Sequence, residues 1–336
     1  MTMAPISLPS IDVIVVNFCT GSLVVACLES LETERASVPR LRAVVVDNNS
    51  PDGSADHIEA AIRAREWQWV VLLRSPANGG FGAGNNMAIR WARAQAAPAE
   101  LFWLLNPDTE VRPNAAACLA RFMATHPAAG IAGSGLLEGD GSPWPYAFRF
   151  PNILGELERG ARFGLLTRLL KNNAVLRRVG NSCEQVDWVS GASLIVRRDL
   201  FEGGLGFDEG YFLYYEETDF CLHARKSGWE CWYVPGAVVL HVAGQSTGVT
   251  GRQLKLRRLP AYWFQSRRHY FLKNHGRPYA MLADLAWLVG HVFARARQMA
   301  SGATSGDPPQ LLADFLRHSS FAPSRFRPNG YRRRAG

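Results

Sequence analysis

The sequence predicts an α/β fold: a doubly wound, mixed but mainly parallel sheet flanked by helices, with a helical basic extension at its C-terminal end. Three observations predict it. Within the first 130 residues, short apolar runs recur at intervals of roughly 30 residues with helical patterns between them. Each run closes on or near polar residues, and open α/β sheets bind ligands at the carboxyl ends of their strands. Charge then changes sign along the chain. Residues 1–250 carry 21 Lys and Arg against 26 Asp and Glu, a net of −5; residues 251–336 carry 16 against 3, a net of +13.

Ile11–Asn17 opens the series as a continuous apolar run ending in an amide. Ala43–Asp47, Trp69–Leu73 and Leu101–Asn106 repeat it, each short and β-branched or aromatic, as buried parallel strands should be. Helices are predicted over Leu23–Glu34, Ala55–Arg65, Gly84–Gln95 and Pro113–Thr125. Pro113 suits a first helical turn, and Asp56 and Glu59 suit the positive end of their helix. Gly139–Pro151 reads as a loop rich in Gly, Pro and aromatic residues, and Leu154–Arg178 as a basic helical insertion. Strand character returns over Val186–Arg197. Glu216–Lys226 reads as a short helix closed by Gly228. Glu230–Val234 and Ala237–Val242 read as two strands around a turn at Pro235-Gly236. From Arg252 the chain turns helical, basic and aromatic, and from Ser301 it is a Pro-, Ser- and Arg-rich tail. The predicted organisation is therefore a ligand-binding domain over residues 1–250 and a basic region over 251–336.

Composition excludes several classes. A chain of 336 residues that is 47% hydrophobic and 20% charged folds rather than remaining disordered. No uncharged apolar run reaches the length of a transmembrane helix, and Met1–Ser10 lacks the layout of a secretory signal. Six cysteines without a C-x-x-C pair read as reduced core thiols of a cytosolic protein. The basic end asks for an anionic partner. Nucleic acid is disfavoured because no recognition motif is present; an anionic membrane surface is favoured, because Tyr262–Lys273 and Pro278–Arg297 mix rings and leucines with Arg.

Four segments have residues suited to chemistry. Asn106-Pro107-Asp108 follows an apolar strand, so Asp108 either holds a hard cation or caps the next helix. Tyr214-Tyr215-Glu216-Glu217-Thr218-Asp219 opens a helix, so its acids either favour the positive helix end or supply a general base. His241 closes a strand as a metal ligand or as an ordinary edge residue. Gly244–Gly251 has the composition of a phosphate-contacting loop. A fifth segment, Gly79–Asn86, has dinucleotide-type glycines, but they follow the third strand rather than the first. That displacement disfavours a nicotinamide oxidoreductase.

Taken in order, Asn17, Asp47-Asn-Asn-Ser50, Asn78-Gly-Gly-Phe-Gly-Ala-Gly-Asn-Asn86, Asn106-Pro-Asp108, Asp187-Trp-Val-Ser-Gly-Ala192, Glu216-Glu-Thr-Asp219 and His241 resemble the family 2 glycosyltransferases, in their rhamnosyltransferase-like branch. The resemblance spans about residues 10–275. It implies a GT-A fold and an inverting, metal-dependent transfer of a sugar, rhamnose favoured, from dTDP or UDP to a hydroxyl of a cell-envelope glycan or lipid-linked acceptor. It places Asn17, Asp47, Asn78, Asn85 and Asn106 at the nucleotide, and Asp108 and His241 at a divalent cation, Mg2+ or Mn2+. Trp188, Gly191 and Glu216 fall near donor sugar and acceptor, and Glu217 stands as the catalytic base where the family carries Asp. Such an enzyme would work in the cytoplasm at the inner face of the plasma membrane, in peripheral contact with it. The alternative is an inactive nucleotide-sugar-binding or scaffold protein of the same fold. The oligomeric state, the linkage and the choice between the two nucleotides are not written in these motifs.

Overall fold

Four parallel strands form where the apolar runs lie: β1 (Ile11–Asn17), β2 (Leu41–Asp47), β3 (Val70–Arg74) and β4 (Leu101–Leu105), separated by α1 (Gly21–Glu32), α2 (Ser54–Ala64) and α3 (Phe81–Arg93). Every residue of β1 and β4 is buried, which explains why neither shows a polar face in sequence. The computed structural model describes residues 7–242, 257–302 and 306–323. The chain continues with β5 (Thr109–Val111), α4 (Ala115–Thr125), β6 (Ala129–Leu137), β7 (Pro143–Trp144), β8 (Tyr146–Phe148), α5 (Ile153–Ala161), α6 (Gly164–Leu169) and β9 (Leu176–Arg178). It ends with β10 (Glu184–Val186), β11 (Ser193–Arg197), α7 (Arg198–Glu202), α8 (Glu216–Lys226), β12 (Glu230–His241), α9 (Ala261–Ala300) and α10 (Leu311–His318).

Two units divide these elements. The first comprises residues up to 150, 176–207 and 217–242; the second takes residues 151–175, 208–216 and those from 257 onward. The first is built on one mixed sheet of order β10-β12-β6-β11-β4-β1-β2-β3, with β5 on β12 and β7 on β6. Strand β11 runs antiparallel between β4 and β6, so the parallel half ends at β4.

Several local expectations change. Pro113 lies before α4 rather than in its first turn: Asn114 has φ of 68°, and the buried Glu34 carboxylate accepts from the Asn114 and Ala116 backbone N–H groups, each at 2.7 Å. That carboxylate does the work of an N-cap from far along the chain. Pro235-Gly236 is not a turn between two strands but an irregularity inside β12, whose pairing with β6 shifts between Val234 and Val238. There Gly135 lies so close that a Cβ would come within 2.7 Å of the Pro235 carbonyl oxygen. The segment read as a loop over Gly139–Pro151 contains two short strands, and Val186–Arg197 is interrupted between β10 and β11. Cys27, Cys221 and Cys231 are buried, whereas Cys19 and Cys183 are exposed and so are not core thiols.

In the second unit, α9 is interrupted at Gly276, whose φ of 79° suits glycine, and Pro278 follows. The earlier part of α9 is interior: Phe264, Arg267, Tyr270 and Phe271 are buried rather than turned to an interface. Arg267 donates to Glu156 at 2.7 and 2.9 Å and also to Asp284, whose other oxygen accepts from the Ser320 backbone N–H at 2.6 Å. Helices α5 and α9 meet at Gly160 and Gly290. A Cβ on Gly160 would lie 2.3 Å from the Trp287 carbonyl oxygen, and one on Gly290 2.4 Å from that of Leu157, so only glycine permits this approach.

Candidate active site

The carboxyl ends of β1 and β2 lie side by side, with Asn17 paired to Asp47 in register. The Asn17 amide donates to Asp47 at 2.6 Å, and the Ser50 backbone N–H donates to the other Asp47 oxygen at 3.0 Å. Asn17 also accepts from the Thr20 hydroxyl at 2.8 Å and is completely buried. The Asp47 carboxylate is therefore held at both oxygens and fixed in direction.

Across from it, Asn78 accepts from the Gly80 N–H at 3.0 Å, and the Asn48 amide donates to the Gly80 carbonyl at 2.9 Å. Gly84 allows α3 to approach β1, since a Cβ would meet Val16 at 2.7 Å. The Asn85 amide donates to the Phe81 carbonyl at 2.9 Å, while its buried Oδ1 has no hydrogen-bond partner.

Strand β5 pairs antiparallel with β12 and sets Thr109 opposite His241. This brings His241 Nε2 within 3.4 Å of both the Asp108 carboxylate and the Asn106 amide. Asp108 is buried, and the oxygen facing His241 has no hydrogen-bond partner. The start of α4 is capped by Glu34 rather than by Asp108. Among the described residues no three metal-type side chains cluster. Asp108 and His241 are nonetheless an oxygen and an imidazole nitrogen facing one point, which fits a divalent cation that takes its other ligands from a diphosphate and water.

The Asn106 backbone N–H donates to the Ala192 carbonyl at 3.0 Å, which ties this pair to Gly191. A Cβ on Gly191 would stand 3.6 Å from a Glu217 carboxylate oxygen and 3.5 Å from the Phe81 ring. Glu217 is partly exposed as a residue, yet its Oε2 is buried and has no hydrogen-bond partner. Burial pushes its carboxyl above the usual carboxylate value, against backbone N–H groups of Glu217 itself, Gly191 and Thr218 that pull it down. Trp188 stacks on Phe148 with centroids 3.9 Å apart and donates to the Arg149 carbonyl at 3.0 Å. Glu216 is buried at the start of α8. The residues singled out in the first unit thus gather along one sheet edge. Gly244–Gly251 lies outside the described residues.

Two features escaped the sequence reading. Phe81 lines Gly191; its only signal was a ring set among glycines. Tyr214 and Tyr215, just before α8, have φ of 69° and 71°. Two successive left-handed non-glycine residues are strained, and strain of this kind collects at functional sites.

The sequence profile described as Glycosyl transferase family 2 matches residues 12–181. The chain belongs to that family. It is similar to the N-acetylglucosaminyl-diphospho-decaprenol L-rhamnosyltransferase of Mycobacterium tuberculosis, 33% identical over 230 residues, which covers 65% of this chain and 71% of the relative. It is also similar to the rhamnosyltransferase WbbL of Escherichia coli, 26% identical over 166 residues, or 49% of this chain and 61% of the relative. Among solved structures, the mannosyltransferase PcManGT from Pyrobaculum calidifontis, in complex with GDP-Man and Mn2+, superimposes with a TM-score of 0.55 at 17% identity, covering 92% of this chain and 80% of that one. This glycosyltransferase therefore has the expected GT-A fold and a rhamnosyltransferase-like sequence. No helix among its described residues is long and apolar enough to cross a membrane.

Proposed function

We propose that this glycosyltransferase moves a sugar, with rhamnose favoured, from a dTDP or UDP donor to a hydroxyl of a cell-envelope glycan carried on a lipid. The transfer is a single displacement with inversion. The observation that carries the reading is Glu217: a carboxylate with a buried, unpartnered oxygen, linked through Gly191 and Ala192 to Asn106 and its neighbours Asp108 and His241.

In this reading Glu217 accepts the proton of the acceptor hydroxyl at its carboxylate as that oxygen attacks the anomeric carbon. Asp47 receives the nucleoside, and Asn17 acts through Asp47 by fixing its direction. Asn78 and Asn85 shape the glycine-rich turn against the nucleotide, and Asn106 orients the His241 ring. Trp188 and Gly191 bound the space for donor sugar and acceptor, and Glu216, next to Glu217 in the chain, is assigned to the same substrates. Asp108 and His241 would hold Mg2+ or Mn2+. Such a cation offsets the charge that develops on the departing diphosphate. The rhamnosyltransferase names of the relatives favour rhamnose, and the lipid-linked saccharide in the first of those names favours a lipid carrier as acceptor. A lipid-carried acceptor in turn favours an enzyme that works in peripheral contact with the cytoplasmic membrane face.

A panel of dTDP- and UDP-sugars, read by thermal stabilisation with Mn2+ and with chelator, tests donor and metal together. A matching donor at about a hundred times its Kd raises stability by about 2.7 kcal/mol. Asp108→Ala should lose the metal-dependent part of that shift. Equal stabilisation in chelator would overturn the metal site. Retained anomeric configuration in the product would overturn single displacement.

A further inference from the structure

Apart from Leu176 and Val242, every large apolar side chain exposed among the described residues lies in the second unit. Leu282, Leu285, Val289 and Val292 recur at three- and four-residue steps and Met299 follows seven residues later, so they share one face of α9. Beside them lies a groove of about 340 Å³ lined by apolar residues alone, among them Leu157, Phe163, Leu165, Leu169, Val289 and Phe293. Leu169 is 72% exposed and Val292 61%, so neither is packed as core. The close Gly160–Gly290 crossing fixes α5 against α9, and α6, which follows α5, supplies the groove's other wall.

Charge selects what covers this face. The segments that carry it, residues 163–171 and 277–300, contain Arg168, Lys171, Arg277, Arg295 and Arg297 but one acid, Asp284, which is buried against Arg267. Other acids of the unit are paired: Glu156 with Arg267 and Arg159, Asp307 with Arg162 and with Arg295 of this face, and Asp314 with Arg258; Arg168, Lys171 and Arg277 form none of these pairs. A helix stripe of this spacing also fits a second copy of the chain. Two such faces would set Arg168, Lys171 and Arg277 against their own copies, with Glu158, which already accepts from the Thr167 hydroxyl, as the acid beside them.

We propose that this face docks on an anionic lipid bilayer, with α6 and the later part of α9 resting at the boundary between headgroups and acyl chains. Exposed leucines enter the acyl region while the Arg and Lys side chains reach the headgroup phosphates. Part of the surface comes from the internal segment 163–171, so the basic C-terminal region does not form it alone. The proposal rests on the reading of a lipid-linked acceptor, which it would bring to the enzyme.

Flotation of the full chain with vesicles of phosphatidylcholine, with or without phosphatidylglycerol, tests it. The wild type should float with the anionic vesicles and release at high salt. Leu169→Glu and Val292→Glu, at exposed positions that leave the melting temperature unchanged, should each lower the bound fraction about tenfold, whereas Leu176→Glu in the first unit should not. A wild type that does not float, or variants that float equally, would overturn the proposal. So would a dimer in light scattering that Val292→Glu splits. Transfer to a short, soluble acceptor should survive in both variants. A chain that floats but transfers to no acceptor would keep the docking face and remove the transfer reading; transfer without flotation would do the reverse.

Discussion

Two sets of buried carboxylates, one in each unit, differ in the cations set against them. In the second unit, Glu156 and Asp284 face Arg267, and Glu156 faces Arg159 as well. Burial alone would push the Arg267 guanidinium down, but the two carboxylates outweigh it and hold it above its ordinary value. In the first unit Asp12 is paired with Arg42 in the same way, but among the described residues Asp108 and Glu217 form no ion pair with Lys or Arg; each keeps a buried oxygen with no hydrogen-bond partner, as Glu156 does, but without a guanidinium beside it. Asp47, on the same sheet edge, is tied at both oxygens by neutral donors. A carboxylate neutralised inside the fold is architecture. One left open costs stability, and a bound cation or substrate completes it.

The contrast breaks first at Glu217. Glu217→Gln keeps the shape and removes the base, so transfer should fall by about 10²–10⁴-fold with the fold intact. Near-normal turnover in a single-turnover assay would move Glu217 to the architectural class. The opposite test is Arg267→Leu. It leaves Asp284 buried without a cation and Glu156 with Arg159 alone, which costs about 3–5 kcal/mol. Urea denaturation should show that loss as a lower midpoint. A midpoint within the scatter of wild type would mean that the cluster is not neutralised by Arg267.

These two sites also differ in how far the sequence exposes them. Ile11–Asn17 and Leu101–Leu105 are legible because strands buried on both faces are apolar along almost their whole length, Asp12 with its Arg42 partner apart, and their carboxyl ends mark where ligands bind. Asp108, His241 and Glu217 were nameable from their order along the chain. That Asp108 faces His241, or Glu217 faces Gly191, depends on β5 crossing to β12 and on the short link from Gly191 to β4, which no local pattern encodes. Arg267 reads in sequence as one more cation of a basic aromatic stretch. Its partners are 111 and 17 residues away, so its burial is invisible locally. Glu34 capping α4 and the bulge at Pro235 fail for the same reason: a proline signals a turn or helix start, and contacts from elsewhere decide otherwise.

The smallest effect is the sharpest test of the comparison, because it concerns stability rather than catalysis. Burial raises the Glu217 carboxyl above its value in the unfolded chain, so the folded state binds that proton more tightly. Its contribution to stability is full below the unfolded value and is lost as pH rises through the folded one. Gln at this position resembles the protonated acid at every pH. Glu217→Gln should therefore raise the melting temperature at pH 8, by the equivalent of roughly 1 kcal/mol, the relief of one buried acceptor without a partner. The gain should shrink as pH falls and vanish near pH 4, about where the unfolded carboxyl itself is protonated. The acid limb of the pH–rate profile should shift the same way, above the ordinary carboxylate range, since the base must be ionised to work. A difference in melting temperature that stays constant with pH would show that Glu217 carries no trapped charge, and the distinction between open and neutralised carboxylates would then rest on Asp108 alone.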